Sequence, residues 1–377
     1  MADEPREFVP APETTVLREV VRDHCRRVWD EAAVRAVAEK GEPVSEAWRA
    51  LGTRLGVLGL TVPERWGGAG AGLVEAAVVG EELGAVLAPL PYTSALLAAR
   101  MLTDCGDNDS GGEAACGDLL PGLCDGSRTF AVVATDADGR WAAPAVSARP
   151  DQGGWQLSGA AGGVVDADLA TDLLVVSRDG ALFHVGADAT GVTRTPVATL
   201  DLTRTQADVS FVDTPGRRIG RADLTRAGVT AAVLLSAELV GVARAMLETA
   251  VSHARERKQF GRPIGSFQAV QQRCADMLVE VELATSAAAH AAWTHDHGGD
   301  DPVLAASLAH VVGSDAARAV VKSAMQVLGG VSITWEHTAH LYLKRAIAGA
   351  AQWGGRAHRS SLAALVVDAQ APPQGKE

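Results

Sequence analysis

The amino-acid sequence predicts an α+β fold in three parts: an N-terminal helical domain, a small middle β-barrel or sandwich, and a C-terminal four-helix bundle. Apolar residues recur at helical spacing in the first and last thirds of the chain and alternate with polar ones between them. Glycine-rich turns punctuate the alternating part. The predicted boundaries are a tail at 1–13, domains at 14–127, 128–220 and 221–368, and a second tail at 369–377.

The N-terminal part is expected to consist of surface-length helices separated by Gly and Pro. The predicted helices cover residues 16–28, 48–58, 73–86 and 94–102. Residues 67–72, with sequence GGAGAG, look like a phosphate-binding loop. They lack the following Lys-Ser/Thr and a preceding strand, so we expect a loop between helices instead.

The middle part carries strand patterns between turn residues. Predicted strands cover residues 129–134, 155–158, 172–177, 181–185 and 207–212. Turns are predicted at 153–154, 179–180 and 191, at a spacing typical of a small barrel or sandwich.

The C-terminal part begins with a long segment, 224–258, that is apolar on more than one face. We expect neighbouring helices or subunits to enclose it, and an oligomer larger than a dimer. Later helices are predicted at 267–292, 302–328 and 337–348.

Composition excludes several classes of protein. The formal net charge is -12 and the pI is near 5.3, which argues against sequence-independent nucleic-acid binding. The five cysteines show no paired spacing, so no disulfide framework is expected and a reducing cytoplasm is the natural setting. No apolar run is expected to reach the roughly 20 residues of a membrane span, so no membrane association is expected.

A basic turn followed by a helix carries the most informative motif. Its residues are Arg257, Lys258, Phe260 and Gly261, then Phe267, Gln268 and Gln271, with Ser266 as a candidate helix cap. Taken alone, the turn could be a helix hairpin with solvated Arg and Lys side chains.

This motif, R-K-x-F-G followed by F-Q-x-x-Q, resembles the signature of the acyl-CoA dehydrogenase family of flavoproteins. Two further matches occur in the expected order: LTVPERWGGAG at 60–70 with EELG at 81–84, and QVLGG at 326–330. The run 334–345 resembles short actinobacterial-type subunits that act on bulky CoA esters and assemble with a second, non-identical subunit. The resemblance implies FAD in a cleft between the β domain and the last bundle, partly covered by a neighbouring subunit.

The resemblance also implies cofactor-binding residues. Those expected to reach the FAD diphosphate of an adjacent subunit are Arg257, Phe260, Gln326, Gly329 and Gly330, with Gln268 in the matching helix. In the family's flavin-binding T-E-P segment only Thr135 is retained, and its W-I-T segment is replaced by Gly163, Val164 and Val165. Both departures affect contacts with the isoalloxazine ring.

The family's catalytic base is absent from both positions where members carry it. Trp353 and Ala231 occupy those positions. Glu238, on the same helix as Ala231, is the nearest alternative carboxylate. A buried glutamate paired within the bundle is the commoner explanation for such a residue.

The function implied is FAD-dependent α,β-dehydrogenation of an acyl-CoA or carrier-bound thioester by a homo- or heterotetramer, with transfer to an electron-transfer acceptor. One alternative is a catalytically silent subunit that completes a partner's FAD pocket, and another is a non-dehydrogenating role on a carrier-bound acyl group. His337 and His340 share a helical face without a third ligand, so no metal site is predicted. Residues 295–297, HDH, are expected to form a solvated loop.

Overall fold

The computed structural model describes residues 12–107, 110–151 and 153–370. A helical N-terminal part, a central sheet and a helical C-terminal part follow one another, which confirms the predicted fold class. Helix is present from Pro12 and through Gln370, two residues into each predicted tail. The rest of both tails lies outside the described residues.

The N-terminal part holds six α-helices among the described residues. They are α1 (Pro12–Val28), α2 (Glu31–Lys40), α3 (Ser45–Thr53), α4 (Leu73–Ala85), α5 (Tyr92–Gly106) and α6 (Ser110–Cys124). The sequence analysis missed α2 and α6. Helix α2 is short and capped by Asp30, whose carboxylate accepts a hydrogen bond from the Ala33 amide. Helix α6 contains Pro121 and several glycines, which disfavour helix, but its leucines are buried in the core.

The glycine-rich stretch 67–72 is a loop leading into α4, as predicted. Gly67 and Gly70 both have positive φ. The amides of Leu73 and Val74, at the start of α4, donate to the carboxylate of Asp296 at 2.9 Å each.

Asp296 lies in the last turn of a C-terminal helix, so the prediction of a solvated loop at 295–297 was wrong. Burial raises the pKa of Asp296, but hydrogen bonds from His295 and from the amides of Leu73 and Val74 outweigh it and lower the pKa. An ionised carboxylate at the N-terminus of α4 is favourable because the helix dipole is positive there. This contact ties the N-terminal part to the C-terminal bundle.

The central sheet has seven strands among the described residues: β1 (Phe130–Val133), β2 (Ser147–Asp151), β3 (Gly154–Val165), β4 (Asp172–Val176), β5 (Ala181–Gly186), β6 (Val192–Pro196) and β7 (Gln206–Arg221). The order is β1-β4-β5-β7-β3-β2, with β6 also paired to β7. The β1–β4 pair is parallel and the other pairs are antiparallel. A bridge between Val146 and Ser177 brings the β2 edge back toward β4, so the sheet curls toward a barrel.

The C-terminal part comprises α7 (Leu224–Glu256), a hairpin of β8 (Lys258–Gln259) and β9 (Arg262–Pro263), then α8 (Gln268–His297), α9 (Pro302–Leu328), α10 (Ala339–Gly349) and α11 (Gly355–Gln370). Helix α7 packs against α4, α8 and α9, which confirms that it is enclosed on several faces. Ser266 does not cap α8 as predicted. Its hydroxyl donates to the Pro263 carbonyl, and Phe267 occupies the cap position. Helix α11 is a fifth α-helix, in addition to the four that the sequence predicted for this part.

Two helical segments are long and apolar enough to cross a membrane by length and composition alone: Leu224–Glu256 and Pro302–Ile333. The expectation that no apolar run reaches this length was therefore wrong. Inside the protein, 89% of the apolar window of the first segment and 56% of that of the second are buried. Core helices pass the same test, so the finding is weak evidence for a membrane span.

Candidate functional site

A cleft of about 900 Å³ lies between the central sheet and the C-terminal helices. One wall comes from the sheet, through Thr135 and residues 162–165. A second comes from the loop before β7, and the third from the turn at 352–354 between α10 and α11. Ligand sites in proteins commonly occupy about 300–1,000 Å³, so the cleft is large enough for an organic cofactor or substrate.

Gly139, Gly162 and Gly163 lie on the sheet side of the cleft, among larger residues such as Trp141 and Val165. A Cβ on Gly162 would lie 2.3 Å from the Ala137 carbonyl oxygen, and Gly163 has φ of 57°. The Gly163 amide donates to Asp208 at 2.8 Å. The Thr135 hydroxyl, a predicted cofactor contact, donates to the Gly162 carbonyl at 3.0 Å. Thr135 thus lines the cleft, but its hydroxyl hydrogen is already bonded to the Gly162 carbonyl and is not available to a ligand.

Two buried arginines join the walls of the cleft. Arg204, from the loop before β7, donates to Glu238 of α7 at 2.6 Å and to the Gln352 side chain at 2.8 Å. Arg345 of α10 donates to Glu238 at 2.6 Å and to Asp201 at 2.5 Å. We call Asp201, Arg204, Glu238 and Arg345 the charge network. All four side chains are buried.

Glu238 is held as a carboxylate within this network. Burial raises its pKa, but the attraction of Arg204 and Arg345 outweighs burial and the pKa is lowered. Each carboxylate oxygen accepts from one arginine. Glu238 is not among the residues that line the cleft. These contacts support the ion-pair alternative and argue against Glu238 as a proton acceptor.

The turn beside the cleft carries Trp353 in the left-handed backbone region, with φ 43° and ψ 44°. Its side chain is 8% exposed, and the Arg204 guanidinium lies 5.8 Å from its ring centroid. A bulky non-β-branched residue with positive φ is uncommon, so the surrounding contacts must hold the turn in place. Trp141 packs against the next residue, Gly354, from the sheet side. Ala231, at the other expected base position, is fully buried.

Three carboxylates line the cleft, and none of them is both buried and free. Asp201 is paired with Arg345, and Asp208 accepts from the Gly163 amide. Asp138 lies on an exposed turn next to Arg140. Among the described residues lining this cleft, no side chain is placed as a general base with a suitably raised pKa.

The other predicted cofactor residues lie on the surface, away from the cleft. They are Arg257, Phe260, Gln268, Gln326, Gly329 and Gly330, all exposed. Phe260 is 91% exposed with φ of 52°, and its ring meets Phe267 edge-on at 6.0 Å. A Cβ on Gly329 or Gly330 would meet nothing within 4 Å. Among the described residues no hydrogen bond or ion pair joins the hairpin to the 326–330 turn, and both are accessible to a second chain.

The cleft is large enough for FAD, and three arginines line it together with the three aspartates. Arg140 and Arg356 stand at its rim and could pair with a diphosphate. Sequence reasoning missed these two arginines, together with Trp141, Arg204 and Gln352, because none belongs to a recognisable motif.

His337 and His340 do not converge on a shared site. His340 stacks on the Trp335 ring at a centroid distance of 4.6 Å, and the His337 Nδ1 accepts from the Ala339 amide. In the part of the chain that the structure describes, no group of three or more His, Cys, Asp or Glu side chains could hold a metal ion.

Comparison with known proteins decides the family. Models described as "Acyl-CoA dehydrogenase, N-terminal domain" and "Acyl-CoA dehydrogenase, C-terminal domain" match residues 11–127 and 229–357. The chain is 35% identical over 342 residues to acyl-CoA dehydrogenase IpdE2 of Mycobacterium tuberculosis, covering 90% of this chain and 92% of that protein. The chain belongs to the acyl-CoA dehydrogenase family. These matches confirm the resemblance inferred from the sequence motifs. They also confirm the expected oxidoreductase of this flavoprotein family.

Other acyl-CoA dehydrogenases extend this picture. FadE34 of M. tuberculosis is 37% identical over 343 residues, covering 89% of this chain but only 45% of FadE34, so the chain spans about half the length of that relative. Among solved structures, a variant of the Tcur3481-Tcur3483 steroid ACAD has a TM-score of 0.83 at 31% identity, covering 96% of this chain and 99% of the matched chain. The ChsE4-ChsE5 complex from M. tuberculosis has a TM-score of 0.84 at 26% identity, covering 97% and 100%.

Proposed function

We propose that this chain is a base-deficient subunit of a hetero-oligomeric, FAD-dependent acyl-CoA dehydrogenase that acts on a bulky, pathway-specific acyl thioester. The observation that carries the proposal is the position of Trp353. By the motif resemblance, this buried tryptophan beside the cleft occupies the position of the family's base, and Glu238 is fixed between two arginines. FAD, when bound, supplies the hydride acceptor for such a dehydrogenation.

The missing base determines what a partner must supply. Abstraction of the α-proton of a thioester needs a carboxylate within hydrogen-bond reach, with a pKa near the working pH. Glu238 fails on both position and pKa. The carboxylate would therefore belong to a second family subunit, with this chain providing scaffold and surface groups.

The surface offers groups that such a partner could use. Arg257 has a planar guanidinium suited to phosphate oxygens, and Phe260 projects an almost fully exposed ring from the same hairpin. Exposed apolar side chains also occur on α8 and α9: Leu278, Val279, Leu283, Val303, Leu304 and Leu308. Apolar surface of this kind typically marks an interface. We infer that these helices contact another subunit.

The relatives support a non-identical partner. The two structural relatives above carry paired names, Tcur3481-Tcur3483 and ChsE4-ChsE5. FadE34 is long enough for a second unit of similar size beyond the part that this chain matches. The word steroid in one of these names supports a bulky acyl group as the substrate of this chain too. A cytoplasmic location remains part of the proposal.

The test is turnover by the purified chain, alone and co-expressed with a second family subunit, using a panel of acyl-CoA esters and an artificial electron acceptor. Loss of a general base typically lowers the rate by about 10²–10⁴-fold, so the chain alone should be slower than the co-assembled enzyme by that order. Robust turnover by the chain alone that disappears in Glu238→Gln would make Glu238 the base and contradict the proposal.

A second prediction concerns Arg257 in the co-assembled enzyme. Arg257→Ala should lower the amount of FAD per protomer, because an arginine–phosphate contact is charge-assisted. Arg255→Ala is a matched control, since Arg255 is exposed in the last turn of α7, two residues before Arg257, and belongs to no matched motif. FAD content is read from the visible spectrum and the assembly from sedimentation. Equal FAD content in both variants, with the assembly intact, would show that Arg257 does not bind FAD and is a solvated side chain of the hairpin.

A further inference from the structure

Helix α11 begins immediately after the turn at 352–354 and packs against α9 and that turn. The turn forms one wall of the cleft described above, so α11 lies behind that wall. His358, in the first turn of α11, contacts both neighbours: a side chain of α9 and the backbone of the turn. It does not line the cleft itself and belongs to no motif of the family signature.

The half-buried His358 ring is fixed from the α9 side by a buried hydroxyl. The Ser307 hydroxyl lies 2.9 Å from His358 Nδ1, and Ser307 is 2% exposed. The ring centroid of His310 lies 5.0 Å from that of His358, with the two rings tilted by 50°. Ser307 and His310 are three residues apart and share one face of α9. The His358 ring therefore lies against this face at a defined position.

The other neighbour of the His358 ring is the turn beside the cleft. Burial lowers the pKa of His358, and the Trp353 backbone partly opposes this effect. A backbone group that raises the pKa of an imidazole is a carbonyl oxygen, so the ring faces the Trp353 carbonyl. Helix α11 thus directs one side chain back to the turn that precedes it.

This turn needs contacts on both sides because its backbone is strained. Trp353 lies in the left-handed region, which a residue with a bulky side chain keeps only where its surroundings fix it. On the sheet side, Arg204 donates to the Gln352 side chain at 2.8 Å. On the α9 side, the contact is the His358 ring. Loss of either contact would let the turn relax toward a commoner backbone conformation.

We propose that His358 is a positioning residue for the cleft: its neutral ring holds the turn at 352–354 in place, and protonation of the ring releases the turn. The cleft then loses its shape next to Trp353, and FAD binds less tightly in acid than at neutral pH. This regulation rests on the proposed function, because it takes FAD to be the ligand of the cleft. The hold on the turn itself does not depend on the ligand.

The charges near the ring favour release on protonation. The turn itself, Gln-Trp-Gly, carries no charged side chain, and Arg204 lies beyond it. The titratable and charged groups on the packed parts of α9 and α11 are mostly basic: His310, Asp315, Arg318, Arg356 and Arg359. The one carboxylate among them is already paired with two arginines. A protonated His358 would therefore meet repulsion rather than a free counter-charge.

The direction of the pH dependence follows from the lowered pKa of His358. With the turn held, the ring has a pKa below its usual value of about 6.5, and after release it returns to that value. Below pH 6.5 the released state therefore binds a proton that the held state does not. The held state loses population as the pH falls, and FAD affinity falls with it.

The experiment measures amide hydrogen exchange in residues 350–358 and the dissociation constant of FAD, with the chain in its native assembly. His358→Ala should raise exchange in this segment about 3- to 10-fold and weaken FAD binding by a similar factor, as expected for the loss of one hydrogen bond. His358→Asn places an amide near the position of Nδ1 and does not titrate. It should keep most of the affinity at pH 7.5 and make the loss of affinity between pH 7.5 and 5.5 less steep.

His290→Ala is the control, since His290 is exposed on α8 and pairs with Asp300 at the surface. Faster exchange at 350–358 in His358→Ala but not in this control, with a flatter pH profile in His358→Asn, is the supporting result. Unchanged exchange in His358→Ala, or the same pH profile for wild type and His358→Asn, would overturn the proposal. A wild-type chain that binds no FAD, yet has a protected turn that opens in His358→Ala, would contradict the proposed function and support the positioning role.

Discussion

Arg345→Met is expected to lower the free energy of unfolding by about 3–5 kcal/mol, the range found when one partner of a buried charged pair is removed. Arg345 is 1% exposed and donates to Asp201, Glu238 and Thr203. Methionine fills most of the volume but donates no hydrogen bond. Asp201 would be left buried without its ion pair, and Glu238 would keep only Arg204. Denaturant unfolding at a fixed protomer concentration measures the loss.

Arg149→Met supplies the control for this prediction. Arg149 pairs with Asp213 at 2.9 Å, but both side chains are well exposed, and such surface pairs contribute about 0–1 kcal/mol. The double variant Arg345→Met, Asp201→Asn should recover part of the loss, because it neutralises the carboxylate that loses its ion pair. A loss below about 1 kcal/mol for Arg345→Met would contradict the view that the charge network stabilises the fold.

Acidification from pH 6.5 to 4 is expected to destabilise the protein partly through His310. Burial, helped by the nearby His358, lowers the pKa of His310 to about 4, against about 6.5 in the unfolded chain. Over that range the unfolded state binds a proton that the folded state does not, so stability falls as the pH falls. A shift of about 2.5 pKa units corresponds to about 3 kcal/mol.

His310→Gln should make the dependence of stability on pH less steep over this window. Its loss of stability relative to wild type should therefore be larger at pH 6.5 than at pH 4.5. His290→Gln is the control, since His290 is exposed and pairs with Asp300 on the surface. The carboxylates with lowered pKa, such as Glu82 and Asp172, act mainly at lower pH. Identical slopes for wild type and His310→Gln would exclude this role for His310.

Much of the fold could be predicted from periodicity because its largest elements bury one or more continuous faces. Helix α7 is the clearest example, with apolar residues on several sides and partners on each. Strands β2 and β6 were missed because their sequences, SARPD and VTRTP, do not alternate apolar and polar residues. Most of their side chains are exposed. They are specified by pairing with β3 and β7, which a local pattern does not reveal.

The candidate site could be predicted only where a motif marks it. One family segment identified Thr135, which lies beside the cleft. The R-K-x-F-G motif identified Arg257 and Phe260 at the exposed hairpin. Arg204 lies in an irregular loop, and its partners Glu238 and Gln352 are 34 and 148 residues away in sequence. No spacing rule connects residues so far apart.

The charge network also has a consequence for how a cofactor could enter and leave. Arg204 is bonded at once to α7 and to the turn at 352–354, so the sheet and the C-terminal helices cannot swing apart without breaking buried ion pairs. The opposite rim is the turn between Thr135 and Trp141, where Arg140 is largely exposed. Exchange of a bound cofactor would then depend on motion of that small turn rather than on domain opening. Residence times would be set by a few local hydrogen bonds, and a partner subunit covering the turn would lengthen them.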